Sequence, residues 1–392
     1  MDYPKIKIDF KRYEWAIEKS DVESDIIFKK FPQLNEWISG SDQPTMKQLA
    51  DFSEMTHIPL GYFFIDNPPL DSLELLKFRR YPSKSNYTIS RNFLDTLEDM
   101  DNLKNFMREY SIYCENTKNS FVGSLKGYES SESLKNEVRT RLNIDIDWFK
   151  SGLDTSHNFN YIKSKIQALD IIVMMNSVVG LDFTRPLDIK EFYAFTMIDD
   201  FAPLIFINAQ ESFAGRLFFL IREFTYVGIG VDNLTTDKIC NSVASEILVP
   251  STLFKYIWHK YKDVKSIDKI QKLALYFKVN NHIIALRAIE YDYITELDYY
   301  KIDKKLKFNR SNENKSNPSD VSDVSDVYDV YDVSDVSDVY DTFISGYDNR
   351  CLKTINESTK SGYLLYTDAY RLTGTDRIFY DEVMNKLEND VR

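Results

Sequence analysis

The stretch RLFFLIREFTYVGIG, residues 216–230, is the segment on which the architecture of this chain turns. It reads as a helix, with Arg222 and Tyr226 four residues apart and therefore on one face. Arg222 and Glu223 are immediate neighbours, and side chains at i and i+1 do not face one another. By itself Ile-Arg-Glu-Phe-Thr-Tyr is an ordinary helical run. What surrounds it gives it meaning.

Upstream, Ala168–Met175, Glu191–Met197 and Pro203–Ile207 are short β-rich runs separated by turn residues. Three strands before two helices, Phe213–Val227 and Asp237–Leu248, predict an α+β unit, and residues 252–300 return to a helical pattern. Toward the N-terminus, apolar residues recur at helical spacing in four short segments. Tyr13, Ala16 and Ile17 open the first, and Val22, Ile26 and Ile27 the second. Phe31, Leu34, Trp37 and Ile38 make a third face, ended by Gly40; Pro44 begins a fourth with Met46, Leu49, Phe52 and Met55. Four helices of this spacing suit a helix-turn-helix domain closed by Asn67-Pro68-Pro69. NFLDTLEDMDNLKNFMREY then suggests one long exposed helix.

Residues 320–341 carry eight aspartates in repeated Ser-Asp-Val and Tyr-Asp-Val triplets. A period of three fits neither strand nor α-helix, so residues 314–342 are expected to be a disordered insert. Thr367–Leu387 is expected to be helical. The resulting division is 1–69, a helix-turn-helix domain; 70–155, a helical connector; 156–300, the α+β domain; 301–342, an Asp-rich linker; and 343–392, a helical C-terminal extension.

The quoted helix and its neighbours resemble the ImmA/IrrE-type zinc peptidases fused to Xre-type helix-turn-helix domains. FTRPLDIKEFYAFTMIDDFAPLIFIN (183–208) is similar to that family's strand pair, and TTDKICNSVASEILVP (235–250) to its second helix. WISGSDQPTMKQLADFSEMTHIPLGYFFIDNPP (37–69) resembles the Xre-type domain, LKFRR (76–80) its linker, and GYLLYTDAYRLTG (362–374) the family's tail. The resemblance implies a gluzincin-like fold. Its metal helix reads His-Glu-x-x-His, two His on one face holding Zn²⁺ and Glu as general base. Here Arg222 and Tyr226 stand at the two His positions, Glu223 is a vestigial general base, and Asp237 matches the third ligand. No metal and no cofactor are therefore expected, and Arg222 is expected to pair with Asp237 instead, with the Tyr226 hydroxyl reaching Asp237 or Glu223. Zinc belongs only to the alternative of an active metallo-endopeptidase that cleaves a repressor or antitoxin.

The resemblance further implies a regulator from a mobile element, prophage or toxin–antitoxin module. Its expected partners are operator DNA and a toxin, repressor or other protein, with a homodimer possible in principle. A partner of a toxin with no DNA role is the other alternative. The residues assigned to DNA are Lys29, Lys30, Gln33 and Asn35, because Gln and Asn suit adenine in the major groove. Against this, residues 1–70 hold eight Lys/Arg and twelve Asp/Glu, so little counterion release is available.

Composition narrows the class further. A hydrophobic fraction of 43% is ample for several cores, and no apolar run reaches the length of a membrane span. The first residues lack the apolar core of a signal peptide. Cys114, Cys240 and Cys351 are far apart and odd in number, which suits free thiols in a reducing cytoplasm. A cytoplasmic protein without membrane contact is expected.

Overall fold

The computed structural model describes residues 4–20, 22–65, 89–128, 131–230, 234–302, 304 and 336–389. The LKFRR linker, Asn67-Pro68-Pro69 and the tract through residue 335 lie outside them. The described residues form an α+β protein, mostly helical, with five short strands. The chain divides into two units, one of Met1–Lys77, Tyr81–Asp99 and Val178–Leu187, the other holding the rest.

In the first unit, four helices run in the order expected: α1 (Phe10–Lys19), α2 (Ser24–Lys30), α3 (Leu34–Ser39) and α4 (Met46–Thr56). Tyr13, Ile27, Trp37 and Phe52 are buried at their centre, and Trp37 meets Phe52 edge to face at 6.2 Å. Gly40 ends α3 at φ +73°, a left-handed position that glycine reaches without strain. Pro44, expected in the first turn of α4, stands one residue before the N-cap Thr45. Thr45 closes a reciprocal capping box with Gln48. Ile26 and Met46 were expected on the apolar faces but are about half exposed. The unit also contains a hairpin, β2 (Val178–Val179) and β3 (Asp182–Pro186), and the start of α5 (Arg91–Tyr113). Arg185 of the hairpin bonds Asp95 at 2.5 Å and Asn92 at 2.9 Å.

Helix α5 corrects one expectation. It is not an exposed connector, because Phe93, Leu97, Met100, Leu103 and Phe106 form a buried stripe at intervals of three and four.

In the second unit, β1 (Ile172–Asn176), β4 (Ala194–Met197) and β5 (Leu204–Asn208) make one sheet in the order β1-β5-β4. β5 pairs parallel with β1 and antiparallel with β4, and all five of its residues are buried. Helix α8 (Phe213–Ile229) lies over β4 and β5 and packs between α7 (Thr155–Gln167) and α9 (Leu234–Leu248). Thirteen of its 17 residues are buried, so it is a central helix apolar nearly all round. Phe121 stacks on Phe224 at 4.3 Å, and a side chain at Gly228 would collide with Phe121 and Leu125. After helix α6 (Ser131–Leu142), which also packs on α9, the remaining helices follow. They are α10 (Ser251–Lys260), α11 (Ser266–Phe277), α12 (Asn281–Glu290) and a further helix, α13, at 296–302.

The C-terminal segment departs from expectation twice. Residues 336–342, read as part of a disordered insert, begin α14 (Val336–Gly346). The triplets run on to Asp341 inside this helix, where Tyr340, Phe343 and Tyr347 recur at helical spacing; Tyr340 stacks on Phe379 at 4.4 Å. The expected single helix over 367–387 is broken at Gly374 (φ +65°) into α16 (Tyr366–Thr373) and α17 (Arg377–Asn389), after α15 (Asn349–Lys360).

Polar ties fasten this segment to β1. Lys163 of α7 donates to the Ser345 carbonyl at 2.6 Å, closing the end of α14. Asp348, 1% exposed, accepts from the Val173 backbone at 3.2 Å, and Arg350 donates to Ile171 O at 2.6 Å. Burial pushes the Lys163 ammonium down to about 8, opposed by the Asp348 carboxylate.

Two predictions follow from these interiors. The Tyr13 hydroxyl is buried and has no hydrogen-bond partner among the described residues. Tyr13→Phe should therefore raise stability by about 1 kcal/mol in urea unfolding, and a loss of that size would show the hydroxyl to be satisfied. Lys163 titrates at about 8 when folded and near 10.5 when unfolded, so the unfolded chain binds more protons between those values. Stability should rise across pH 8–10.5 by about 3 kcal/mol from this group, its penalty being complete below pH 8. In Lys163→Met that rise should be absent, so the difference between the two pH profiles should equal it; parallel profiles would contradict the buried charge.

Candidate functional site

Helix α8 begins at Ser212, whose hydroxyl accepts from the Gly215 amide at 3.3 Å, and ends at Gly230 in the left-handed conformation. Between these caps it carries Arg222, Glu223 and Tyr226, with residue exposures of 9%, 1% and 1%. Buried ionisable and polar side chains in a mostly apolar helix require partners, since an unsatisfied buried charge costs several kcal/mol.

The Arg222 guanidinium is the centre of the arrangement. Its Nη1 donates to Glu223 Oε1, its Nη2 to Asp237 Oδ1 at 3.2 Å, and its Nε to Asn241 Oδ1 at 2.8 Å. Asp237 and Asn241 lie one turn apart on α9, so one side chain from α8 engages a single face of the neighbouring helix. Asp237 also sits in the first turn of α9, where the helix dipole favours a carboxylate. The other Glu223 oxygen accepts from Thr196 Oγ1 of β4 at 2.6 Å. Strand, first helix and second helix meet at one buried cation.

The expected Arg222–Asp237 pair is present in this geometry. The contact between Arg222 and Glu223 was not expected. The rule that adjacent helical residues diverge holds at Cβ, but the long arginine side chain turns back far enough to reach its neighbour. Asn241 and Thr196 were missed as well. The i, i+4 relation to Asp237 could have marked Asn241, whereas Thr196 is 27 residues from Glu223 and has no local signal. The bonds of the guanidinium run to Glu223, Asp237 and Asn241, and Tyr226 lies one turn on from it in α8.

The zinc that the resemblance implies does not fit these residues. A guanidinium stays protonated and offers donors only, so Arg222 contributes no ligand and places positive charge against both carboxylates. Two unit charges 4 Å apart repel by roughly 4 kcal/mol at an effective dielectric of 20, and a dication by about twice that. The four histidines lie elsewhere: His57 caps α4, His157 sits beside Asp154, His259 beside Tyr293 and His282 beside Tyr299. Among the described residues no three His, Cys, Asp or Glu side chains converge as a ligand set.

The residues assigned to DNA are close in sequence and unequal in exposure. Lys29 and Lys30 are exposed at the end of α2, and Asn35 is exposed on α3. Gln33 is half-buried at the N-cap position of α3, a helix of only six residues.

The pairing predicts an asymmetric mutational response. Arg222→Ala leaves Glu223 as a buried, uncompensated carboxylate and should cost about 3–5 kcal/mol in denaturant unfolding. Asp237→Asn should cost about 0–1 kcal/mol, because the Asp237 side chain is 32% exposed and its pairing is screened. Adding Glu223→Gln to Arg222→Ala should recover part of the loss. Equal costs for the two single changes would contradict a buried Arg222–Glu223 pair.

Comparison with known families places one match on the chain. A family described as a domain of unknown function (DUF8813) matches residues 348–386, which take in α15, α16 and most of α17. No curated protein and no solved structure matches the chain. The matched segment contains none of the residues gathered around Arg222.

Proposed function

We propose that this chain is a regulatory binding protein of a mobile element, prophage or toxin–antitoxin module, whose peptidase-like domain has exchanged metal chemistry for an internal ion pair. It holds a repressor, a toxin or another protein partner rather than cutting it, and it contacts operator DNA through the corner of α2 and α3. The observation that carries this reading is the Arg222 guanidinium, whose Nη1, Nη2 and Nε point to Glu223, Asp237 and Asn241. A peptidase needs a polarised water and a base free to accept its proton. Here the residue at the base position, Glu223, accepts hydrogen bonds from Arg222 and Thr196 on its two oxygens. Support for the DNA contact is narrower and rests on the exposure of Lys29, Lys30 and Asn35. Among the described residues no helix is long and apolar enough to cross a membrane.

The test is metal content and its engineered return. Purified protein should contain no stoichiometric zinc, and Arg222→His combined with Tyr226→His should bind zinc through the two introduced side chains and Asp237. About one zinc per unaltered chain, lost on mutation of Glu223 or Asp237, would restore the metallopeptidase reading. Failure of the double variant to bind zinc while remaining folded would count against the correspondence of positions 222 and 226 with metal ligands. For the DNA contact, alanine at Lys29, Lys30, Gln33 and Asn35 should abolish a salt-sensitive shift of the native operator.

A further inference from the structure

Residues 251–278, spanning α10, α11 and the turn between them, contain seven lysines and two aspartates. Their net charge of +5 stands in a chain of net charge −12, so the remainder carries −17. Lys255, Lys260, Lys262, Lys265 and Lys272 are exposed, and none of the five pairs with a carboxylate among the described residues. Seven lysines against two aspartates on an otherwise acidic protein form a local positive field, which draws anions to this segment.

Aromatic rings lie against two of these lysines. The Lys255 ammonium lies 4.1 Å from the Tyr291 ring centroid and the Lys272 ammonium 5.1 Å from that of Tyr261. These contacts hold the charges at set positions on rigid helices and reduce the entropy lost when an anion arrives. Tyr256 is 69% exposed on α10, one turn before Lys260, so its ring is accessible, whereas the Tyr276 ring on α11 is engaged by Phe149 and Lys150. Lysines to neutralise phosphates, with an accessible tyrosine ring on which a base stacks, are the two elements of a platform for single-stranded nucleic acid.

We propose that the α10–α11 face binds single-stranded nucleic acid, with Lys260, Lys262, Lys265 and Lys272 on the phosphates and Tyr256 stacking a base. An acidic protein segment would satisfy the charges but would make no use of a stacking ring, which is why nucleic acid is favoured. The site shares no residue with the α2–α3 corner and does not depend on the state of Arg222.

The test is fluorescence anisotropy with a fluorescein-labelled 20-residue oligothymidylate and the full chain at low salt. Four phosphate contacts give a slope of log K against log salt of about −3. Lys260→Gln, Lys262→Gln, Lys265→Gln and Lys272→Gln together should weaken binding at least about ten-fold and flatten that slope, with an unchanged melting curve. Tyr256→Ala should weaken it about five-fold or more. Alanine at Lys29 and Lys30 should leave binding unaltered. The proposal is overturned by an absence of binding at low salt, by binding that survives the four glutamines, or by loss confined to the Lys29 and Lys30 variant. Poly-glutamate binding as tightly as the oligonucleotide, with no effect of Tyr256→Ala, also overturns it, in favour of an acidic protein partner.

Discussion

A carboxylate with 1% exposure can persist in a protein interior only if its charge is answered at bonding distance, and Glu223 is such a group. Arg222 supplies the answer from the adjacent position and spends its other nitrogens on α9. Thr196 supplies the second hydrogen bond from β4. The relative placement of α8, α9 and the sheet is thus constrained by one cation as well as by the apolar contacts around it. Hydrophobic packing is tolerant of small rotations of a helix, whereas a guanidinium donating in three directions is not. The cluster therefore defines which face of α8 meets which face of α9.

The same principle recurs where the C-terminal helices meet the sheet. β1 is an edge strand, and an edge offers unpaired backbone groups that must be covered or paired. Asp348 and Arg350 take up backbone groups of Val173 and Ile171, while Lys163 closes the end of α14. Buried charge is again used to hold two elements in register. Its cost is visible in the lowered basicity of Lys163. The residues matched by the family of unknown function begin at the first of these anchors, Asp348.

Charge is segregated along the sequence. Eight aspartates fall within residues 320–341, and the N-terminal seventy residues are net acidic, while the α10–α11 face is strongly basic. Segregation of this kind has little bearing on fold, because exposed charges are screened within about 10 Å at moderate salt. It bears on which molecules approach which face. An anionic partner is drawn most strongly to the α10–α11 segment, where the local field is positive.

Much of the architecture was legible in the sequence for a local reason. Helices α8 and α9 and the four N-terminal helices declare themselves through helical spacing, the three strands of the main sheet as short β-rich runs between turn residues, and Gly40 through the stereochemistry of helix ends. Positions 222, 226 and 237 could be singled out because residues four apart share a face and because the neighbouring runs resembled a known arrangement. The buried stripe of α5 was legible in its spacing but was read as exposed, since alternating charges at its surface masked it. What no local pattern contains is the partner of each buried polar group. Thr196 meets Glu223 across 27 residues, and Lys163 meets Ser345 across 182. Helix α14 forms from the end of an aspartate repeat because Tyr340 finds Phe379. Local pattern set the elements and put Arg222 where a charge had to be answered; which groups answer it was settled by packing, because a buried charge is satisfied by whatever the folded chain brings within about 3 Å.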